Sequence, residues 1–169
     1  MTKPVYSTRG VRLPMVVLTV VISVAAGVLQ GAHPKAVSGT GGAVSSAVPA
    51  ATDAGLDALR AGGNAVDAAV ATALALAVVH PPAGNLGGGG FAVVRFGNKV
   101  EALDFRETAP AGATHDMYLD SRGEPKPDAS LIGPLAAGVP GSPAGLYALH
   151  ERYGSLPWRD VVAPSIRLA

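Results

Sequence analysis

Between Asn64 and His80 lies the segment that most limits what this chain can become. From Val66 to Val79 every residue is apolar except Asp67 and Thr72. A helix with that pattern offers periodicity no solvent face to assign, so the segment is predicted to be a buried helix. It is shorter than the about 20 residues a helix needs to cross a bilayer, and His80-Pro81-Pro82 ends it, because proline lacks the N–H that would continue the ladder. Asn64 has the side chain of an N-cap, and Asp67, three residues on, suits the first-turn amides and the positive end of the helix dipole. Upstream, Pro49 fits the first turn of a helix carrying Ala54, Leu56 and Leu59, which Gly62-Gly63 stop. A buried helix needs layers around it. With aromatics at 5%, Gly 22 and Pro 14 among 169 residues, small side chains must form the core. They pack closely but bury little area each, so such a core needs more chain around it.

Downstream, Gly84-Asn85-Leu86 and Gly87 to Gly90 lead into Phe91–Phe96, a turn at Gly97-Asn98, and Lys99 to Phe105. This is the pattern of a β-hairpin. Pro110 to Pro134, loaded with Pro, Asp and Gly, is expected to be a surface loop with one helical turn. Ser142-Pro143 supplies an N-cap and a first-turn proline for a helix from Ala144 to Tyr153, with Leu146 and Leu149 on one face and Gly154 as its stop. Leu156-Pro157-Trp158 opens a last helix through Val161, Val162, Ile166 and Leu168, with Pro164 inside. The sequence stops at Ala169 with no cap or polar tail, as a chain cut in mid-element would. The fold class is α/β (α+β).

At the other end, Lys3, Arg9 and Arg12 precede an uncharged apolar run from Met15 to Leu29, with small residues at Val24-Ala25-Ala26. That layout predicts a secretory signal over 1–32, or an uncleaved anchor, and an extracytoplasmic location: secreted or periplasmic, membrane-anchored if the signal is kept. The Gly, Ser, Thr and Ala of 33–46 read as a flexible linker, with folding beginning near Ala47.

Several chemistries are excluded. Lys plus Arg number 13 against 12 Asp plus Glu, and a net charge of +1 with no basic cluster argues against nucleic acid. The absence of cysteine removes disulfide scaffolds, thiolate metal sites and thiol catalysis. His33, His80, His115 and His150 form no metal spacing, and His150-Glu151 lacks the second histidine of a zinc helix, so no metal or cofactor is expected. The glycine run has no Gly-Lys-Ser/Thr after it and leads from helix to strand, the reverse of a dinucleotide fold. Ser142, in Pro140-Gly-Ser-Pro-Ala144, fails the nucleophile elbow at both glycines. Asp116 with Asp120, and Glu151 with Asp160, read as solvated surface pairs. Composition and spacing reach an exported, Ala/Gly-rich domain and no reaction.

One segment goes further. Asp104-Phe-Arg-Glu-Thr-Ala-Pro110, after the glycine run and hairpin, closely resembles the signature of the γ-glutamyltranspeptidase (glutathione hydrolase) family. So do Gly62-Gly-Asn-Ala-Val-Asp-Ala-Ala69, Leu86 to Phe91, Gly138-Val-Pro-Gly141 with Ala144-Gly-Leu146, and Tyr153-Gly-x-Leu-Pro-Trp158 continuing to Ala163-Pro-x-Ile-Arg-Leu-Ala169. Five blocks in the family order cover about Val48 to Ala169.

The resemblance implies an N-terminal nucleophile hydrolase: an αββα sandwich whose precursor cleaves itself into a large and a small subunit. The threonine freed at the start of the small subunit attacks the γ-glutamyl amide of glutathione and similar compounds. An acyl-threonine forms, and water or an acceptor amine takes the γ-glutamyl group. Residues 47–169 then correspond to the N-terminal portion of the large subunit, truncated, with the nucleophile beyond this sequence, and the chain by itself is expected to be inactive. Its partners would be γ-glutamyl compounds and the small subunit. The site residue that carries over is Arg106, matching the family arginine that binds the substrate α-carboxylate. A guanidinium offers that carboxylate a planar, permanently charged fork. Without the resemblance, Arg106 reads first as an internal ion-pair partner of Asp104 or Glu107. Two further readings stay open: a related exported acylase of the same fold, and a non-catalytic remnant lacking the nucleophile subunit.

Overall fold

Helix α1 (Pro49–Arg60) starts with proline in its first turn and no side-chain cap, as Val48 is extended. Its end is a Schellman closure. Gly62 at φ 89° turns the chain back, so that its N–H reaches Leu59 O at 3.0 Å and the Gly63 N–H reaches Ala58 O at 2.9 Å. A computed structural model of the chain describes residues 37–169, of which Gly39–Ala169 form one unit. The signal expected over 1–32 and the start of the expected linker lie outside the described residues. Residues 37 to 48 form neither helix nor strand. Among the described residues no helix is long and apolar enough to cross a membrane.

Helix α2 (Ala65–Val79) carries the capping box that its sequence predicts. Asn64 Oδ1 accepts from the Val66 and Asp67 N–H groups at 2.8 and 3.2 Å, and the Asn64 N–H donates to Asp67 Oδ2 at 2.8 Å. Packing supplies the face that periodicity could not assign. Val66, Val70 and Ala71 meet Ala58 of α1, Leu146 and Leu149 of helix α3 (Ser142–Tyr153), and Val161 of helix α4 (Trp158–Leu168) in the main core. A smaller cluster joins Ala51 and Ala54 to Ala75. The buried positions of the helix run from Val66 to Ala75, with Ala69 exposed between them, and Leu76 to Val79 remain half-buried. Leu76 and Val79 pack on the smaller cluster, and the described residues leave the rest of that end partly open.

Strands β1 (Phe91–Phe96) and β2 (Lys99–Asp104) pair antiparallel around the Gly97-Asn98 turn, forming a two-stranded sheet. The expected second strand reached Phe105. The ladder does continue there, with Phe105 N–H to Gly90 O at 2.9 Å, although the strand proper ends at Asp104. Period-two alternation splits the hairpin into two faces. Ala92, Val94 and Leu103 pack on the main core, whereas Phe91, Val93 and Val100 on the other face are exposed. Residues 110–134 form the expected loop, closed by a Leu119–Pro125 bridge and followed by a single 3-10 turn at Pro134–Ala136.

The start of α3 differs from the expectation. Ser142 is the first helical residue and Gly141 the N-cap, with no side-chain cap bond. The Gly141 and Ser142 N–H groups both donate to the Gly88 carbonyl at 2.9 Å. The Gly145 N–H closes on the Gly141 carbonyl at 2.8 Å, so the helix begins one residue before the expected cap and the Ser142 hydroxyl lies in the first turn instead of at the N-cap.

Candidate functional site

The hairpin register decides where Arg106 goes. Phe91 pairs with Asp104, so Phe91 and Asp104 share the outer face, and Arg106, two residues beyond Asp104, falls on the same side. Asp104 then fixes the turn out of the strand, its Oδ1 accepting the Arg106 N–H at 2.9 Å. The Thr108–Val139 bridge, with N–H to O distances of 3.2 and 2.9 Å, ties the far side of the same segment to the chain entering α3.

From below, the segment rests on two close approaches. A Cβ at Gly141 would lie 1.8 Å from the Phe105 carbonyl oxygen, and one at Gly145 would lie 2.1 Å from the Phe105 side chain. Only hydrogen fits at either place. Gly141→Ala is therefore expected to displace Phe105 and Arg106 and to lower stability by about 2–3 kcal/mol, read as a lower midpoint of urea unfolding by far-UV circular dichroism. An unchanged midpoint would show that the strand end yields freely.

The Arg106 side chain stands 65% exposed, with Nε 3.7 Å from Glu107 Oε2. Its guanidinium lies over the Phe91 ring, 5.8 Å from the centroid. Of the expected alternative ion-pair partners, Glu107 reaches the guanidinium only at long range, and Asp104 bonds the Arg106 backbone N–H and not its guanidinium. An exposed pair of that length is worth less than about 1 kcal/mol. Most of the guanidinium fork remains available to a carboxylate.

Next to this segment a cleft of about 320 Å³ lies between α2, the glycine run and the start of α3, with Asn85, Gly88, Phe105, Glu107 and Ser142 among its lining residues. Arg106 is not among them. A larger cleft of about 460 Å³, between residues 42–46 and helices α1 and α2, is lined by alanines, Leu59, Leu76, Thr72 and two serines and holds no charged group. Its chemistry gives an ionic substrate no grip.

Sequence reasoning missed a second polar cluster, at the other end of α2. Asp67 is fully buried. Besides the Asn64 N–H, its carboxylate accepts the Ser155 N–H at 3.1 Å, the Ser155 hydroxyl at 2.7 Å and the Leu156 N–H at 3.3 Å. His150 Nε2 lies 3.5 Å from Asp67 Oδ1 and donates to the Leu156 carbonyl at 2.9 Å. Burial pushes the Asp67 carboxyl up, but the hydrogen bonds from Ser155, Asn64 and Leu156 outweigh it and hold the group below its ordinary value. Serine, histidine and aspartate meet here without forming a nucleophile: the Ser155 hydroxyl donates to the carboxylate, and the imidazole is turned to a backbone carbonyl. The cluster is a tie that binds the α3–α4 connection to the start of α2. One signal could have found it. A carboxylate inside an otherwise apolar, buried helix must be paired.

Comparison with known proteins fits these observations. Residues 51–169 match the family described as gamma-glutamyltranspeptidase. The chain is 53% identical over 129 residues to the glutathione hydrolase proenzyme of Escherichia coli (strain K12), a match covering 76% of this chain and 22% of that protein. Among solved structures, the Helicobacter pylori gamma-glutamyltranspeptidase superposes with a TM-score of 0.77 at 48% identity, over 80% of this chain and 39% of that one. The Pseudomonas nitroreducens gamma-glutamyltranspeptidase complexed with L-DON gives 0.75 at 47%, over 78% and 39%. The chain spans between a fifth and a quarter of the length of such curated relatives. With the family matched over residues 51–169 and about half of the aligned residues identical to such relatives in sequence and in solved structure, this chain belongs to the γ-glutamyltranspeptidase family.

Proposed function

We propose that this chain is the front of the large subunit of a γ-glutamyltransferase/glutathione hydrolase precursor, and that Arg106 binds the α-carboxylate of the γ-glutamyl group. The observation that carries the reading is the placement of Arg106: register, Asp104 and the glycine contacts hold its backbone, while its guanidinium stays two-thirds exposed with one long-range carboxylate partner. Held in this way, the guanidinium would fix one end of the substrate and present the γ-amide to a nucleophile supplied from elsewhere. That nucleophile is the threonine freed by self-cleavage at the start of the small subunit. Its hydroxyl attacks the γ-carbonyl while its own α-amine takes the proton; the tetrahedral adduct then breaks its C–N bond, the proton passes to the departing amine, and water or an acceptor amine resolves the acyl-threonine left behind.

In this reading the β1–β2 hairpin is one edge of an αββα sandwich, and Val93 and Val100 on its outer face, away from the Phe91 and Arg106 end, are covered by the second sheet. Half-burial of Leu76 to Val79 supports the same expectation, since apolar residues at a helix end call for a further layer. Residues 1–32 act as the export signal or an anchor, 33–46 as the linker, and the enzyme works outside the cytoplasm.

The test is a pair of assays on purified protein. The 169-residue chain alone is expected to release no glutamate from glutathione above buffer background. The complete polypeptide is expected to cleave itself in two and then to hydrolyse glutathione. A complete polypeptide that processes itself but cleaves only acyl amides lacking an α-carboxylate would shift the assignment to an acylase. One that never processes would make it a remnant, and turnover by the short chain alone would overturn the mechanism.

A further inference from the structure

Phe91 opens β1 on the outer face of the hairpin and is 66% exposed, a costly position for a phenyl ring with no partner. It has a partner in Arg106. Cross-strand pairing sets Phe91 opposite Asp104, so Arg106 is its diagonal neighbour on the same face, within reach of a long side chain. The guanidinium carbon lies 5.8 Å from the ring centroid, inside the range over which an aromatic face attracts a cation, while Glu107 approaches Nε at 3.7 Å. The ring therefore offers a surface along which the guanidinium plane can lie, and the carboxylate beside Nε limits its rotation. Neither contact uses the whole fork.

We infer that Phe91 is a positioning residue for substrate binding: its ring holds the Arg106 guanidinium in the orientation that receives the α-carboxylate. The inference rests on the proposed role of Arg106. Arginine carries several rotatable bonds, and restricting them before the substrate arrives lowers the entropy lost on binding. Leucine or methionine at 91 would keep apolar bulk and strand pairing but remove the π face. A tyrosine would restore it.

The experiment uses the complete, self-processed protein, with steady-state kinetics on a γ-glutamyl anilide and on the same anilide lacking the α-carboxylate. Phe91→Leu and Phe91→Met are expected to raise KM for the γ-glutamyl substrate about two- to fivefold, the worth of an exposed cation–π contact. The kcat value should stay within about twofold, because the grip acts alike on ground and transition states. Phe91→Tyr should return KM to near the original value. In an Arg106→Ala background, Phe91→Leu should raise KM no further. An unchanged KM in Phe91→Leu and Phe91→Met, or an equal rise for the substrate without the carboxylate, would overturn the inference. If Arg106→Ala itself leaves KM unchanged, the reading of Arg106 fails; if Arg106→Ala raises KM and Phe91→Leu does not, only the role of Phe91 is lost.

Discussion

Asp67→Ala is expected to lower the stability of the chain by about 3–4 kcal/mol, and Asp67→Asn by about 2 kcal/mol. The buried carboxylate accepts hydrogen bonds from the Asn64 N–H, from the Ser155 N–H and hydroxyl, and from the Leu156 N–H. Alanine removes the capping box at α2 and leaves those donors unpaired in a site that water does not reach. Asparagine keeps one acceptor oxygen but turns an NH2 group toward N–H donors, so it recovers only part of the loss. The pH dependence follows from the sign of the shift. The folded Asp67 carboxyl titrates below its ordinary value of 3.8. Its contribution is therefore complete above that value and lost as pH falls through the lower, folded one. Urea midpoints of wild type and Asp67→Asn should be well separated at neutral pH and draw together below about pH 4. A separation independent of pH would show that the carboxylate charge is not what the tie uses.

The second large effect is at Arg106. In the complete protein, Arg106→Ala is expected to reduce kcat/KM for γ-glutamyl substrates roughly ten- to a hundredfold, since hydrogen bonds to charged groups contribute about 1.5–3 kcal/mol. Arg106→Lys should fall between, keeping the charge and losing the fork. Self-cleavage should survive in both, because it acts on the precursor's own peptide bond and needs no bound carboxylate. A denaturing gel for processing, run beside the kinetics, separates loss of binding from loss of folding. Normal processing with full kcat/KM in Arg106→Ala would leave Arg106 as a surface partner of Glu107.

Where a contact is local in sequence, this chain announces it. The Asn64 and Asp67 box, the Gly62-Gly63 stop and the Gly97-Asn98 turn each lie within a few residues of the groups they satisfy, and each forms where the residue types place it. Arg106 is legible for a different reason: the block around it resembles a family signature, whereas its charge pattern alone points to an ion pair. Long-range contacts were not legible. Asp67 meets Ser155 from 88 residues away, so the same aspartate that was read as a cap is also an anchor for the α3–α4 connection. Ser142 is not the cap because α3 starts one residue earlier, with Gly141 as N-cap and the Gly88 carbonyl, brought in by the fold, holding the Gly141 and Ser142 N–H groups. The close approach of Gly141 to Phe105 likewise exists only once the hairpin and α3 are packed together.

The central claim, that this hairpin carries the grip for a substrate α-carboxylate, is tested most directly by substrate discrimination. In the complete protein, kcat/KM would be measured for a γ-glutamyl anilide and for the corresponding 4-aminobutyryl anilide, which differs only in lacking the carboxylate, with wild type and Arg106→Ala side by side. The account predicts that wild type prefers the γ-glutamyl compound by roughly tenfold or more, and that Arg106→Ala loses most of that preference by slowing the γ-glutamyl compound alone. The same preference in both proteins would contradict it.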